Sequence, residues 1–134
     1  MVLVVGLVGP HPRAARGTRR RLALGLSLVG IATIMGARRN LGSAFSVFPV
    51  PVPEASVADE GAYRYVRHPM YSGVLAQAIA ISTAGSPWAI VPTGVLAVVL
   101  DRKAAYEEAL LEDAHPEFAS YRSRTPWRFV PGVR

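Results

Sequence analysis

Residues 22–37 run for sixteen positions without a charged side chain, and arginines close the stretch on both sides, Arg19-Arg20-Arg21 before Leu22 and Arg38-Arg39 after Ala37. A helix needs about 20 apolar residues to cross a bilayer, but arginine stems reach back along a helix and lengthen a short span. The bracketing recurs where Arg102-Lys103 follows Leu100. Charges that frame greasy segments mark the boundary between hydrocarbon and water. Residues 22–37 are therefore expected to form a membrane helix that ends at Asn40-Leu41-Gly42. Its Gly25, Gly30, Ala32 and Gly36 let a neighbouring helix approach closely, and the glycines leave room for an apolar ligand between helices.

The length of 134 residues suits one domain, and a chain that is 51% hydrophobic with a mean hydropathy of only +0.27 suits a small multi-pass protein with charged loops. The absence of cysteine excludes a disulfide framework, a thiolate nucleophile and the common structural zinc sites. Three scattered histidines without ligand spacing argue against any metal. A net charge of +6 raises the question of a nucleic-acid partner. The basic residues sit beside apolar runs and no recognition motif accompanies them, so that reading is set aside.

Along the chain, residues 1–9 are apolar but would cover only about 14 Å as a helix, too little to span. Residues 1–21 are expected to be the remnant of a membrane helix or a short interfacial segment. Val4-Val5-Gly6-Leu7-Val8-Gly9 imitates the start of a dinucleotide-binding turn, but the full glycine pattern is missing and Pro10-His11-Pro12 breaks any helix after it. Residues 48–53 alternate proline with apolar side chains and should lie extended over the membrane face.

Pro69 suits the first position of a helix, which should run to about Ala84. Gly85-Ser86-Pro87 then turns the chain, with Ser86 as cap, Pro87 opening the next helix and Trp88 at the lipid–water interface. From Trp88 the pattern is apolar through Pro92 to Leu100, then charged but helical to about Ala114, where His115-Pro116 stops it. At about 40 Å such a helix would protrude from the bilayer. The tail, residues 118–134, interleaves Tyr121, Trp127 and Phe129 with Arg122, Arg124 and Arg128 and should fold back over the cytoplasmic face. The expected fold is an all-α integral membrane bundle built on a transmembrane helical hairpin.

Both arms of that hairpin meet water on one side, which brings the basic and aromatic segment 61–73 beside Glu107-Glu108. Each feature alone has a plainer reading. Arg64, Arg67 and the tyrosines serve as headgroup anchors, and Glu107-Glu108 serve as a solvated face with Lys103 and Glu107 paired one turn apart. His11 and His115, each beside a proline, read as loop residues.

Taken in order, Arg67-His68-Pro69-Met70-Tyr71-Ser72-Gly73, an apolar hairpin, Lys103 with Glu107-Glu108-Ala109-Leu110-Leu111, Tyr121, and Arg128-Phe129-Val130-Pro131-Gly132 resemble the isoprenylcysteine carboxyl methyltransferase family. The resemblance runs from about Leu22 to the end of the chain. It implies S-adenosylmethionine as cofactor and a lipid-like or prenylcysteine-type carboxylate as methyl acceptor. By that resemblance His68 and Tyr71 match cofactor-contacting positions and Glu107 and Glu108 the acidic pair at the cofactor and active site, with Arg67 beside them; Arg67 and Glu107 are taken as the catalytic candidates, and His68, Pro69, Tyr71, Tyr65 and Glu108 as the cofactor-binding ones. Arg67, His68 and the start of the helix suit the cofactor carboxylate. Tyr63, Tyr65 or Tyr71 suit its adenine or sulfonium, and a glutamate suits its hydroxyls or amino group. The implied setting is the inner membrane, multi-pass, with a cytoplasmic site, the bilayer and a prenylated or lipid-like acceptor as partners, and neither nucleic acid nor metal.

Two departures stand out: Ala62 where many relatives have proline, and Lys103 where an arginine is common. A lysine lacks the forked grip of a guanidinium on a carboxylate. The rival readings are a phospholipid N-methyltransferase, a nicotinamide-dependent membrane reductase, and a non-catalytic membrane interaction module.

Overall fold

The computed structural model describes residues 13–42 and 56–133, and among these the regular structure is helical, with one isolated bridge between Val130 and Val133. The helices are α1 (Arg13–Leu41), α2 (Pro69–Ala84), α3 (Ile90–Ala114) and α4 (Phe118–Arg124). The expectations for residues 1–9 and 48–53 lie outside the described residues.

α1 is longer than its apolar stretch because arginine and alanine are good helix formers and no proline interrupts it. Its 29 residues extend about 44 Å. Among the described residues it is the one helix long and apolar enough to cross a membrane, over Arg16–Leu41. α2 spans Pro69–Ala84 as the sequence pattern predicts, with the proline at its start. Its 16 residues extend about 24 Å, less than a hydrocarbon core of about 30 Å. α3 is apolar only until Asp101, so the expected multi-pass arrangement is not carried by helix length and composition.

α1 and α2 run antiparallel in close contact. Ser27 donates to Oε1 of Gln77 at 2.7 Å, and Gln77 Nε2 donates to the Ser27 carbonyl at 2.6 Å. A Cβ at Gly30 would lie 2.9 Å from the Gly73 carbonyl oxygen, and one at Gly73 2.7 Å from the Gly30 carbonyl. Only the missing side chains allow this approach. The expected gap beside Gly30 is thus filled by the backbone of α2, whereas Gly25 and Gly36 face open space. The helix–helix contact uses Gly30 for packing, because the contact energy depends on how near the two backbones come.

A short 3₁₀ turn, Pro87–Ala89, links α2 to α3, which runs back antiparallel to it. Ser82 Oγ and Thr93 Oγ1 meet at 2.7 Å across this pair, where one hydroxyl donates to the other, and each also lies within hydrogen-bond distance of a carbonyl of its own helix or the turn before it. The helix begins at Ile90, two residues later than the pattern suggests. Pro92 falls in its first turn, where a missing N–H forfeits no intrahelical bond. α3 ends where His115 N–H bonds to the Leu111 carbonyl, just before Pro116.

The outward faces are apolar. Leu24, Leu28, Ile31 and Met35 of α1, Ile79 and Ile81 of α2, and Val91, Val95 and Val98 of α3 are all exposed, as is Trp88 at 73%. This is far more exposed aliphatic surface than water tolerates and is the surface a lipid phase covers.

Candidate active site

The C-terminal end of α1, the N-terminal end of α2 and the C-terminal half of α3 lie at one end of the molecule. Gly61 starts the approach to α2 with φ +57°, and Asn40 at the end of α1 occupies the space a side chain there would need. Asn40 Nδ2 donates to the Glu60 carbonyl at 3.0 Å, which ties the segment to α1. Tyr63 is buried, and its carbonyl accepts the Tyr121 hydroxyl at 2.7 Å, which ties the segment to α4.

The tail then closes over the start of α2. Arg67 N–H donates to the Trp127 carbonyl at 2.9 Å and His68 N–H to the Arg128 carbonyl at 3.0 Å. Ser72 Oγ donates to the Phe129 carbonyl at 2.6 Å. Three carbonyls of the extended tail are thus bonded to residues 67–72, so the rings and cations of the tail are delivered to the same place.

Around that frame two adjacent carboxylates are held differently. Glu108 is buried, its side chain 3% exposed. Its Oε1 accepts Arg67 Nε at 2.8 Å and faces His68 Nε2 at 3.0 Å, and its Oε2 accepts Arg128 Nη2 at 3.0 Å. Arg67 Nη1 donates to the Thr125 carbonyl at 2.8 Å, and Arg128 Nη1 reaches Asp101 at 2.6 Å. Burial alone would push the Glu108 carboxyl up, but hydrogen bonds from His68, Arg128 and Arg67 outweigh it and hold the group well below the usual carboxylate range.

Glu107 is more open, its side chain 19% exposed. The Tyr71 hydroxyl donates to Oε1 at 2.7 Å, and Lys103 Nζ stands 3.5 Å from the same oxygen. Oε2 lies 3.7 Å from His68 Nδ1, beyond hydrogen-bond reach. The His68 and Tyr71 rings stack with centroids 5.4 Å apart, Phe129 stands edge-on to both, and Lys103 Nζ sits 5.1 Å from the Tyr71 ring centre. Burial, and then the charge of Glu107, push the Tyr63 hydroxyl up to about 12, so it stays neutral.

Arg67, His68, Pro69, Tyr71, Glu107 and Glu108 are therefore gathered within one cluster, with Pro69 fully buried at its base. Tyr65 is not part of it: the side chain is 65% exposed at the surface. Arg67 faces inward, with both ends of its guanidinium occupied. Sequence reasoning gave no site role to Arg128, Asp101, Thr125 or Phe129. Arg128 and Phe129 carried a signal, a cation and a ring in the tail, while Thr125 acts through a backbone carbonyl that no side-chain pattern reveals. On the other side of Thr125 an open cleft of about 430 Å³ is lined by Asp59, Glu60, Arg64, Tyr121, Arg124 and Thr125.

The chemistry of the donor set suits a cationic ligand with hydrogen-bond donors. A half-open carboxylate, one of whose oxygens accepts no hydrogen bond among the described residues, stands beside stacked ring faces, with a cation at the rim. Helical architecture, a lipid-compatible outer surface and a polar cluster at one end define a membrane-associated helical protein. The profile of the isoprenylcysteine carboxyl methyltransferase (ICMT) family matches residues 23–113, and the chain belongs to that family. The match takes in α1 from Ala23 onward, α2 and nearly all of α3, and so every cluster residue except those of the tail. Membership brings S-adenosylmethionine-dependent methyl transfer at a membrane as the family activity. No curated protein and no solved structure gives a match.

Proposed function

We propose that this chain methylates a lipid-like acceptor of the prenylcysteine carboxylate type, using S-adenosylmethionine, at the polar end of α2 and α3. The observation that carries this reading, beside the family match, is the gathering of Tyr71, Lys103 and His68 around the half-open carboxylate of Glu107. When bound, S-adenosylmethionine supplies an electrophilic methyl group on a sulfonium. Glu107 Oε2 is the acceptor left over for the cofactor's amino group or hydroxyls, and the His68–Tyr71 rings offer faces to its cation. Tyr71 and Lys103 hold Glu107 in place. Pro69 sets the start of α2, and Tyr65 stands at the surface where a soluble ligand arrives.

Glu108 orients His68 by taking its Nε2 side, and Arg67 keeps Glu108 ionised and fixed. Arg67 thus acts as a positioning residue. A carboxylate acceptor is already ionised near neutral pH, so the chain needs no general base. Positioning and exclusion of water supply the acceleration.

In the membrane, α1 crosses, α2 and α3 form a hairpin with the Ser86 turn on the outer side, and the cluster faces the cytoplasm at the inner membrane. Calorimetry with S-adenosylmethionine tests the reading. Binding by the wild type, weakened at least tenfold in folded His68→Ala and Glu107→Ala proteins, supports it. Wild-type affinity in both variants, or binding of a nicotinamide nucleotide instead, sinks it. Labelling of Ser86→Cys from outside cells tests the topology, and an inaccessible thiol there reverses it.

A further inference from the structure

The charge of this protein is unevenly divided between its two ends. The first acidic residue of the chain is Glu54, and all acidic residues described in the structure lie at 59–60 or from Asp101 onward, the end that holds the cluster. The segment from Arg13 to Arg21, at the start of α1, holds five arginines and no acid. Continuing the register of the Ser27–Gln77 pair up α1 and down α2 brings this segment level with the 85–89 turn and the exposed Trp88.

Arg16, Arg19, Arg20 and Arg21 are all exposed, and among the described residues none has an acidic partner. Three separate effects work against this arrangement. Arg16, Arg19 and Arg20 share about 100° of the helix circumference and repel one another at spacings of three and four residues. The start of a helix is already partly positive and carries no acid here in its first turn. The field of nearly the whole net charge is unscreened by any acidic side chain among the described residues. An anion at this end removes all three.

The position decides which anion. Leu22, Leu24 and Leu28, all exposed, follow immediately, so the guanidinium groups lie at the depth where hydrocarbon gives way to phosphate. A forked guanidinium matches a phosphate diester with two parallel bonds. We propose that Arg16, Arg19, Arg20 and Arg21 form a docking surface for anionic phospholipid headgroups, in the leaflet opposite the candidate active site. The proposal rests on α1 crossing the bilayer and does not depend on methyl transfer.

Native mass spectrometry of the full chain in a neutral detergent, with phosphatidylglycerol and phosphatidylcholine in competition, reads it directly. The wild type should favour phosphatidylglycerol about tenfold or more. The preference should shrink as ionic strength rises. In the Arg16→Gln, Arg19→Gln, Arg20→Gln, Arg21→Gln protein it should fall to about twofold or less; glutamine is a good helix former, so α1 persists. A control that removes as many charges at the other end, Arg39→Gln, Arg102→Gln, Arg122→Gln, Arg124→Gln, should keep it. No preference in the wild type, an unchanged preference in the first variant, or equal loss in the control overturns the assignment. Displacement of phosphatidylglycerol by inorganic phosphate at similar concentration also overturns it, in favour of a soluble-anion site. Should the first variant fail to fold, the salt series on the wild type decides, and a salt-insensitive preference rejects the proposal.

Discussion

Glu107 and Glu108 are neighbours in the chain and carry the same group, yet they belong to two different regions. Around Glu108 the molecule is closed: two arginines and the His68 ring converge on it, the arginines also anchored to Thr125 and Asp101, and the carboxylate is nearly out of reach of water. Around Glu107 it is half open, with one oxygen held by Tyr71 and Lys103 and the other without a hydrogen bond among the described residues. A single step along the helix separates a carboxylate that organises the site from one that is more open. Adjacent helix positions point about 100° apart, so a pair of acids at one helix end can face the interior and the opening at once.

The largest expected effect breaks the closed region. Removing Glu108 by alanine leaves the buried Arg67 guanidinium without its carboxylate, a loss of about 3–5 kcal/mol in the stability measured by unfolding in detergent, whereas Arg67→Ala leaves Glu108 still held by Arg128 and should cost less. Equal loss in Glu107→Ala would erase the distinction between the two acids. Acid titration sharpens the point. The Glu108 carboxyl is depressed in the folded state. Its contribution is therefore fully present above the usual carboxylate value of about 4.3 and fades only as pH falls through the lower folded value. A Glu108→Gln protein should lose that part of the acid sensitivity.

Next comes the tail. Arg128→Gln removes two bonds to Glu108 and one to Asp101, and should lower stability by about 2 kcal/mol, with Arg128→Lys recovering only part. An unchanged melting temperature in Arg128→Gln would show that the tail does not help close the Glu108 region.

On the open side, Glu107→Gln should weaken S-adenosylmethionine binding at least tenfold, about 1.4 kcal/mol by calorimetry. Its melting temperature should move less than that of Glu108→Gln. The reverse order would exchange the roles of the two acids. The smallest effect belongs to Tyr121→Phe, which deletes one buried hydrogen bond to the Tyr63 carbonyl and should lower stability by about 1 kcal/mol without changing cofactor affinity.

α2 is the most legible element. A proline at its first position, an uncharged run and Gly85-Ser86-Pro87 after it specify its bounds through local rules alone. The convergence of residues 61–73 on Glu107-Glu108 also follows from the sequence, because two helices joined by a short turn return to the same end. α1 is less legible, since hydropathy marks the sixteen uncharged residues but not the arginines, which are helical by propensity and carry no apolar signal. The glycines of α1 look equivalent in the sequence. Only the crossing with α2 separates Gly30, pressed against Gly73, from Gly25 and Gly36 in open space.

What the chain determines by itself is thus helical content, apolar surface and the set of groups brought to one end, since these depend on neighbours within a turn or two. Which acid is buried, which way Arg67 faces and the part played by Arg128 were decided by tertiary structure. Those choices depend on backbone carbonyls of a tail that reaches α2 only after the chain reverses at His115-Pro116. A long-range hydrogen bond to a carbonyl can be made by any residue type, so it leaves no mark in the sequence.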